Sequence, residues 1–198
     1  MASNRTALRQ TWTALRATLV FTVLLGVLYP AAVSLIALAV PSSSGSLLRV
    51  DGEVVGSSLI GQSFTDTDGV ALTEWFQSRP SATGYNGAGS GGSNYGPNSE
   101  ELATQIAERR AAVAALEGVD ESDVPEDAYT ASASGIDPHI SPEYALLQVD
   151  RVARERGLDA DTVRDLVTSM VEGRDLGYLG EPRVNVLELN IALAELDR

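Results

Sequence analysis

The chain has 198 residues and no cysteine, which excludes disulfide bonds, and its one histidine cannot complete the usual ligand set of structural zinc. Its 14 basic residues are all arginine. Three of these, but none of the 27 acidic residues, fall in the first 40 positions, so residues 41–198 carry a net charge of −16. Such an acidic region argues against nucleic acid, anionic lipid or ATP as its ligand, and without lysine the chain cannot form a phosphate-binding P-loop.

An uncharged run of 24 residues, at positions 17–40, precedes the acidic region. As a helix it is about 36 Å long, enough to cross the ~30 Å hydrocarbon core of a membrane. Pro30 should bend this helix and leave a carbonyl near Gly26 free for another partner. We predict a retained transmembrane helix over residues 17–40. The alternative is a cleaved signal peptide, because Ala37-Leu38-Ala39 resembles a cleavage site, although the run exceeds the usual length of such peptides.

The charges that flank this run predict its orientation. Arg5, Arg9 and Arg16 precede it, and no acidic residue accompanies them. Positive residues stay on the cytoplasmic side of a membrane. We therefore expect residues 1–16 in the cytoplasm and residues 41–198 outside.

A polar linker over residues 41–47 leads into a predicted β-hairpin over residues 48–60. Asp51-Gly52 can supply the positive φ angles of its tight turn, with apolar residues on both sides. Phe64 and the pair Trp75-Phe76 are the next expected core residues.

Residues 83–97 form a stretch, TGYNGAGSGGSNYGP, in which six of fifteen residues are glycine. Such a composition usually means a flexible surface loop. Two tyrosines and two asparagines are interleaved with the glycines, however, and long ordered loops with aromatic residues are often binding loops. Composition alone leaves both interpretations open.

Four helices are predicted in the remainder of the chain from N-cap residues that precede apolar residues at helical spacing. The four N-caps are Asn98, Ser141, Asp159 and Asn185. The first helix has Glu101 for a capping box and ends at Gly118, the second runs to about Arg156, and the last runs through Leu196. Together with the hairpin, these helices predict a single α+β domain over residues 41–198, placed outside the membrane by one N-terminal transmembrane helix.

Enzymatic chemistry has little support. Asp137 lies two residues before His139, with three serines nearby, so a serine nucleophile with a histidine base is conceivable. Neighbours in sequence rarely form a triad, and neither a G-x-S-x-G motif nor the phosphorylated-aspartate motif of ion-pumping ATPases is present. We expect no catalytic residue and no directly bound metal or cofactor. His139 is interpreted as a loop histidine whose ring bonds the local backbone, or as an interface contact.

Several runs in order resemble the C subunit of the Kdp potassium-transporting ATPase, and they cover nearly the whole chain. The matching runs are residues 56–62 with Phe64, Trp75-Phe76 with Arg79-Pro80-Ser81, Tyr85-Asn86, residues 90–94, residues 130–132, residues 134–135, residues 137–142 and residues 180–187. The run Asp-Pro-His-Ile-Ser-Pro at residues 137–142 is the most specific of them.

The resemblance implies a subunit of a heteromeric pump in the bacterial inner membrane. Its partners would be a channel-like A subunit that binds potassium, a P-type B subunit that hydrolyses ATP, and a small F subunit. The resemblance also implies a role in assembly and as a "catalytic chaperone" that raises the ATP affinity of the B subunit, so that ATP enters at the level of the complex. The Ser-Gly-Gly-Ser stretch, here residues 90–93, has been likened to the signature loop of ABC transporters. The predicted orientation conflicts with direct ATP contact there.

We therefore predict a non-catalytic transporter subunit whose two polar loops, residues 85–97 and 134–142, dock on the channel-like subunit. The candidate docking residues are Arg79, Tyr85, Asn86, Ser90, Gly91, Gly92, Ser93, Asn94, Tyr95, Asp137 and His139. A membrane-anchored sensor or ligand-binding module is the alternative from another class, and an anchored hydrolase is a distant third.

Overall fold

The computed structural model describes residues 2–39 and 46–196, except for the side chains of residues 2–5. The chain divides into two units, one before and one after the boundary between Ser46 and Leu47, and each is described by itself. The predicted linker over residues 41–47 lies largely outside the described residues.

The N-terminal unit is a helix that changes its hydrogen-bonding pattern once. It consists of α1 (Ala2–Val23), a π-helical turn (Leu24–Leu28) and α2 (Tyr29–Leu38). In the π-helical turn the Tyr29 N–H donates to the Leu24 carbonyl, five residues back. This turn ends two residues before Pro30, which has no N–H to donate, so the α-helical hydrogen-bonding pattern is interrupted beside the proline.

The portion from Thr6 to Leu38, 33 residues, is long and apolar enough to cross a membrane. The helix already begins at Ala2, well before the uncharged run. Helical structure alone therefore does not mark where a membrane would start, and the span over residues 17–40 stays a prediction.

The second unit opens with the predicted hairpin. Strands β1 (Leu47–Val50) and β2 (Glu53–Ser57) pair antiparallel, with a bulge between Leu48 and Arg49. Asp51 and Gly52 take φ values of 52° and 87°, as the two central residues of a tight hairpin turn require. The hairpin is confirmed, although its second strand ends at Ser57 rather than at residue 60.

Helices make up most of the regular secondary structure of the second unit, and one further pair of short strands joins them. The helices are α3 (Glu100–Glu117), α4 (Glu126–Tyr129), α5 (Pro142–Leu147), α6 (Val149–Arg156), α7 (Ala160–Ser169) and α8 (Val186–Leu196), with a 3₁₀ turn at Glu121–Asp123. Strand β3 (His139–Ile140) pairs antiparallel with β4 (Val184–Asn185). The α+β class is thus confirmed.

Two helix boundaries differ from the prediction. The N-cap of α3 is Ser99 rather than Asn98, because the Ser99 hydroxyl accepts the Leu102 N–H at 3.3 Å. The single helix predicted from Ser141 to about Arg156 is split at Gln148 into α5 and α6. The Gln148 side chain is fully buried and pairs with the main chain of Gln77. The other helix ends are close to those predicted.

The core lies where α5, α6, α7 and α8 meet Phe76 and the β3–β4 pair. Its fully buried members include Phe76, Ala145, Val149, Val152, Val163, Val167, Val184, Leu189 and Leu193. Helix α6 buries Val149, Val152 and Ala153, and α7 buries Val163 and Val167. By contrast, Ala114 is the only buried residue of α3, so this helix lies at the edge of the core.

Candidate functional site

The two polar loops predicted to dock lie side by side. The Gly91 N–H donates to the Ser134 carbonyl at 2.8 Å, and the Ser90 hydroxyl donates to the same oxygen at 3.0 Å. A Cβ on Gly92 would lie 3.0 Å from the Ala133 carbonyl oxygen, so the glycine allows this close approach. The Ser-Gly-Gly-Ser stretch is therefore bonded along residues 133–135 and is not a free loop. We call this contact between residues 90–92 and residues 133–135 the joint.

A turn at residues 81–85 fastens the same joint from the other side. The Gly135 carbonyl accepts from the Ser81 hydroxyl at 2.5 Å and from the Thr83 hydroxyl at 3.0 Å. The Ser81 hydroxyl in turn accepts the Tyr85 N–H at 3.0 Å. Gly135 has a φ of 68°, and a Cβ there would overlap Thr83. Only glycine fits this position without a shift of its neighbours.

The two tyrosines of the first loop have different roles. Tyr85 points inward, where its hydroxyl donates to the Arg79 carbonyl and its ring covers Gly61. Burial raises the pKa of Tyr85 to about 12. Tyr95 is 41 % exposed, and its hydroxyl accepts from the Gln105 amide at 3.3 Å. Tyr85 is therefore part of the framework of the loops, whereas Tyr95 is available to a partner.

The asparagines shape their own turns and leave their surroundings exposed. The Asn86 side chain accepts the Ala88 N–H at 3.0 Å, and the Asn94 amide donates to the Gly92 carbonyl at 3.0 Å. Asn94 has a φ of 55°, a left-handed conformation that asparagine tolerates well. Ser90, Ser93, Asn94 and Tyr95 are all exposed, so the outer rim of the first loop presents hydroxyl, amide and aromatic groups to solvent.

Arg79, Asp137 and His139 form a chain of charged and polar groups beside the joint. Arg79 Nη1 lies 3.0 Å from Asp137 Oδ2, and the other carboxylate oxygen accepts the His139 main-chain N–H at 3.0 Å and lies 3.4 Å from His139 Nδ1. Burial by itself would raise the pKa of Asp137, but the hydrogen bonds from His139 and the charge of Arg79 outweigh it and hold that pKa below its ordinary value. The His139 ring thus lies against a carboxylate, whereas the sequence predicted a backbone partner.

The serines near His139 bond elsewhere. The Ser132 hydroxyl accepts the Gly135 N–H, the Ser134 hydroxyl accepts the Ile136 N–H, and the Ser141 hydroxyl donates to Asp127 and caps α5. These contacts assign the hydroxyls to turns and a helix cap. Among the described residues no cluster of three or more His, Cys, Asp or Glu side chains could hold a metal ion.

Arg79, Asp137 and His139 line a shallow concavity of about 550 Å³. Its lining includes Arg79, Asp127, Asp137, His139, Glu181 and Arg183. Asp127, Glu181 and Arg183 were not among the predicted site residues. Glu181 and Arg183 lie in the run at residues 180–187, which carries part of the resemblance, so the sequence could have indicated these two residues. The pairing of β3 with β4 explains their position, because it brings residues 183–185 beside residues 139–140.

Comparisons with known proteins agree with this architecture over both units. A family model described as K⁺-transporting ATPase, c chain, matches residues 11–195. The potassium-transporting ATPase KdpC subunit of Kineococcus radiotolerans is 52 % identical over 189 residues, which cover 94 % of this chain and 93 % of that protein. The corresponding subunits of Caldanaerobacter subterraneus and Herpetosiphon aurantiacus are 49 % and 48 % identical, over 90 % and 92 % of this chain and 91 % and 94 % of theirs. Similarity of this extent shows that the chain belongs to the KdpC family, the c chain of the potassium-transporting ATPase.

Proposed function

We propose that this chain is the non-catalytic subunit that stabilises an ATP-driven, high-affinity potassium uptake pump in a bacterial inner membrane. Its apolar helix anchors it, and the docking surface binds the channel-like A subunit, in a complex with the ATP-hydrolysing B subunit and the small F subunit. We define the docking surface as residues 85–97 and 134–142 together with Arg79. As a KdpC-family member, the chain is a subunit of the pump and not its catalytic subunit.

The observation that carries this proposal is the joint between the two loops. Main-chain and hydroxyl hydrogen bonds fix residues 90–92 against residues 133–135, although more than 40 positions separate them in the sequence. A linker has no need of such bonds. A rigid rim that carries Tyr95 and several polar groups is suited to contact another protein, because little conformational entropy is then lost on binding.

The flanks of the apolar run support the proposed orientation, with residues 1–16 in the cytoplasm, residues 17–40 in the membrane and the KdpC-like domain of residues 41–198 outside. The Arg16 guanidinium lies 4.8 Å from the centre of the Trp12 ring. Arginine and tryptophan are both favoured at the boundary between hydrocarbon and water, and arginine is favoured on the cytoplasmic side. The pair lies directly before residue 17.

An effect on the ATP affinity of the B subunit would be transmitted through the membrane helix rather than by contact with nucleotide. In a phosphate-binding loop the backbone N–H groups point at the phosphate. Here the Gly91 N–H is bonded to Ser134 and Gly92 lies against Ala133. The net charge of −16 on residues 41–198 also disfavours a nucleotide polyanion.

The test replaces exposed and inward residues of the same surface. Tyr95→Ala should leave the melting temperature of the full chain nearly unchanged, whereas His139→Ala should lower it slightly because it removes a partner of the Asp137 carboxylate. Each should weaken association with the pump by about 1–3 kcal/mol, as loss of an interface anchor does. Tyr85→Ala is the contrasting control, which should lower the melting temperature because its ring and hydroxyl hold the loops. Co-purification of the other subunits with the tagged chain measures association.

Two results would contradict the proposal. If Tyr95→Ala reduces melting and assembly in parallel, this residue acts in the fold and not in docking. If neither Tyr95→Ala nor His139→Ala changes assembly, the loops are surface connections. A wild-type chain that recovers no pump subunit would instead favour the membrane-anchored sensor or ligand-binding module.

A further inference from the structure

A protruding hairpin at residues 172–183 displays apolar side chains at its tip. Leu176 is 82 % exposed, Tyr178 is 69 % exposed and Leu179 is 48 % exposed. Leucine and tyrosine side chains so close together at one exposed turn are unusual on the surface of a soluble domain, and such patches mark interaction sites. The hydrophobic core of this domain does not account for them, because they do not belong to it.

The hairpin is held in a defined shape by two pairs of main-chain hydrogen bonds. Asp175 and Leu179 exchange N–H···O bonds of 2.9 Å in both directions, and Glu172 and Arg183 do the same at 2.8 and 3.0 Å. Side-chain ion pairs brace its base, with Arg183 Nε 2.9 Å from Glu172 Oε2 and Arg174 Nη2 2.5 Å from Glu181 Oε2. These hydrogen bonds and ion pairs therefore hold the tip in a defined position on the hairpin.

The exposed Leu176 also has an unfavourable backbone conformation. This residue has a φ of 54°, in the left-handed region where glycine or asparagine is more favourable than leucine. Gly177 follows with a φ of 83°. A leucine at this position is unfavourable both for the backbone and for its contact with water, and both penalties are compatible with a role in binding.

We propose that the tip of this hairpin, Leu176, Tyr178 and Leu179, inserts into an apolar cleft on the extracytoplasmic side of the channel-like A subunit. The proposal rests on the proposed function, because it extends the docking surface by a third segment. The hairpin is continuous with that surface, since Glu181 and Arg183 at its base line the same concavity as Arg79, Asp137 and His139. The tip would act as a hydrophobic anchor beside a polar rim.

Charge favours a protein partner over a lipid surface. Residues 41–198 carry a net charge of −16, which an anionic membrane would repel. The two arginines of the hairpin, Arg174 and Arg183, are already engaged with carboxylates and are not free to bind lipid phosphates. Three carboxylates and two arginines leave the hairpin with a net charge of only −1, and its apolar tip suits a cleft without strong charge on another subunit.

Photo-crosslinking in the assembled pump in native membranes tests the location. A benzophenone amino acid is placed at position 178, at position 95 of the docking surface and at position 70. Val70 is the matched control, because it is an apolar residue 62 % exposed in another turn. We expect crosslinks from positions 178 and 95 to pump subunits identified by mass, and none from position 70.

The outcomes separate this proposal from the one on which it rests. A crosslink from position 95 without one from position 178 would overturn the hairpin proposal and leave the docking surface intact. Crosslinks from position 178 to lipid alone would also overturn it. If neither position reaches a pump subunit, both proposals fail.

A pair of substitutions tests the contribution to affinity. Leu176→Asn keeps a residue that accepts positive φ while removing the apolar side chain, and Tyr178→Ser removes the ring. The double variant should reduce the co-purified pump roughly tenfold, whereas Val70→Ser should not change it. Its melting temperature should stay at or above the wild-type value. An unchanged yield of complex with the double variant would contradict the proposal.

Discussion

Single buried polar residues determine how residues 73–77 are held. Within residues 2–39 and 46–196, no strand pairs with this segment. Arg151, whose side chain is 1 % exposed, donates to the carbonyls of Thr73 and Trp75 and forms an ion pair with Glu117, with Nε 3.0 Å from Oε2. Asn190 bonds both main-chain groups of Phe76, and Gln148 bonds both of Gln77. Buried main-chain groups need hydrogen-bond partners, and here side chains supply them instead of a neighbouring strand.

Replacement of Arg151 should be among the most destabilising single changes. Arg151→Met leaves the Glu117 carboxylate and two carbonyls without their donor in a dry environment, so the free energy of unfolding should fall by about 3–5 kcal/mol. Arg164→Met is the matched control, since Arg164 pairs at the surface with Asp150 and should cost about 0–1 kcal/mol. Denaturant unfolding of the full chain measures both. Equal effects of the two variants would show that the buried network does not contribute as described.

At the scale of elements, the docking surface depends on contacts between segments rather than on any helix. Gly61 illustrates this dependence, since its N–H donates to the Ile136 carbonyl and a Cβ there would lie 2.6 Å from the Asp137 carbonyl oxygen. The Asp137 carboxylate joins Arg79 to His139 within this contact. Its charge therefore contributes to the stability of the joint between the two loops.

Asp137 predicts a pH dependence of that stability. Because its pKa is lower in the folded protein, the contribution is present above the unfolded value of about 3.9 and is lost as the pH falls through the folded pKa. Asp137→Asn should therefore melt below wild type at pH 6, and the two melting curves should converge once the pH has fallen below the folded pKa.

Asp161→Asn serves as the control for this series, because the Asp161 side chain is 92 % exposed. It should follow the wild-type melting curve throughout. A gap between wild type and Asp137→Asn that does not narrow as the pH is lowered from 6 through the acidic range would mean that the charge of Asp137 is not the cause.

At the scale of the whole molecule, the chain combines one apolar helix with one acidic domain. The helix carries its positive charges before the apolar run, and the negative charges all follow it. This separation along the sequence matches the two environments proposed for the two units. It also gives the domain a repulsive field for anions, although salt screens that field beyond about 8–10 Å.

Topology can be measured with a fluorescent reporter that matures only in the cytoplasm. Fused after Arg198, it should stay dark, whereas the same reporter fused before Met1 should fluoresce. The second fusion controls for expression and insertion. A bright fusion after Arg198 would reverse the orientation inferred from Arg5, Arg9 and Arg16.

Nucleotide binding by the isolated subunit should be negligible. Calorimetry of the full chain in detergent with ATP and magnesium should give no dissociation constant below about 100 µM, which corresponds to about −5.5 kcal/mol. The assembled pump provides the positive control. Tighter binding by the chain alone would favour direct contact with ATP.

Local interactions allowed the sequence by itself to determine several elements. The Asp51-Gly52 turn, the caps at Ser141, Asp159 and Asn185, and the end of α3 at Gly118 each involve residues within a few positions of one another. The uncharged run and its flanking arginines likewise need no tertiary partner to be recognised. The α+β class followed from these elements.

Long-range contacts decided what the sequence could not. The break at Gln148 and the burial of Arg151 depend on partners far along the chain, such as Gln77, which is 71 positions from Gln148, and Thr73, which is 78 positions from Arg151. The joining of residues 90–92 to residues 133–135 and the placement of the 172–183 hairpin beside His139 have the same origin. Composition and periodicity report which residues can be buried or turned. They do not report which distant backbone group will meet them, because that depends on how the elements pack.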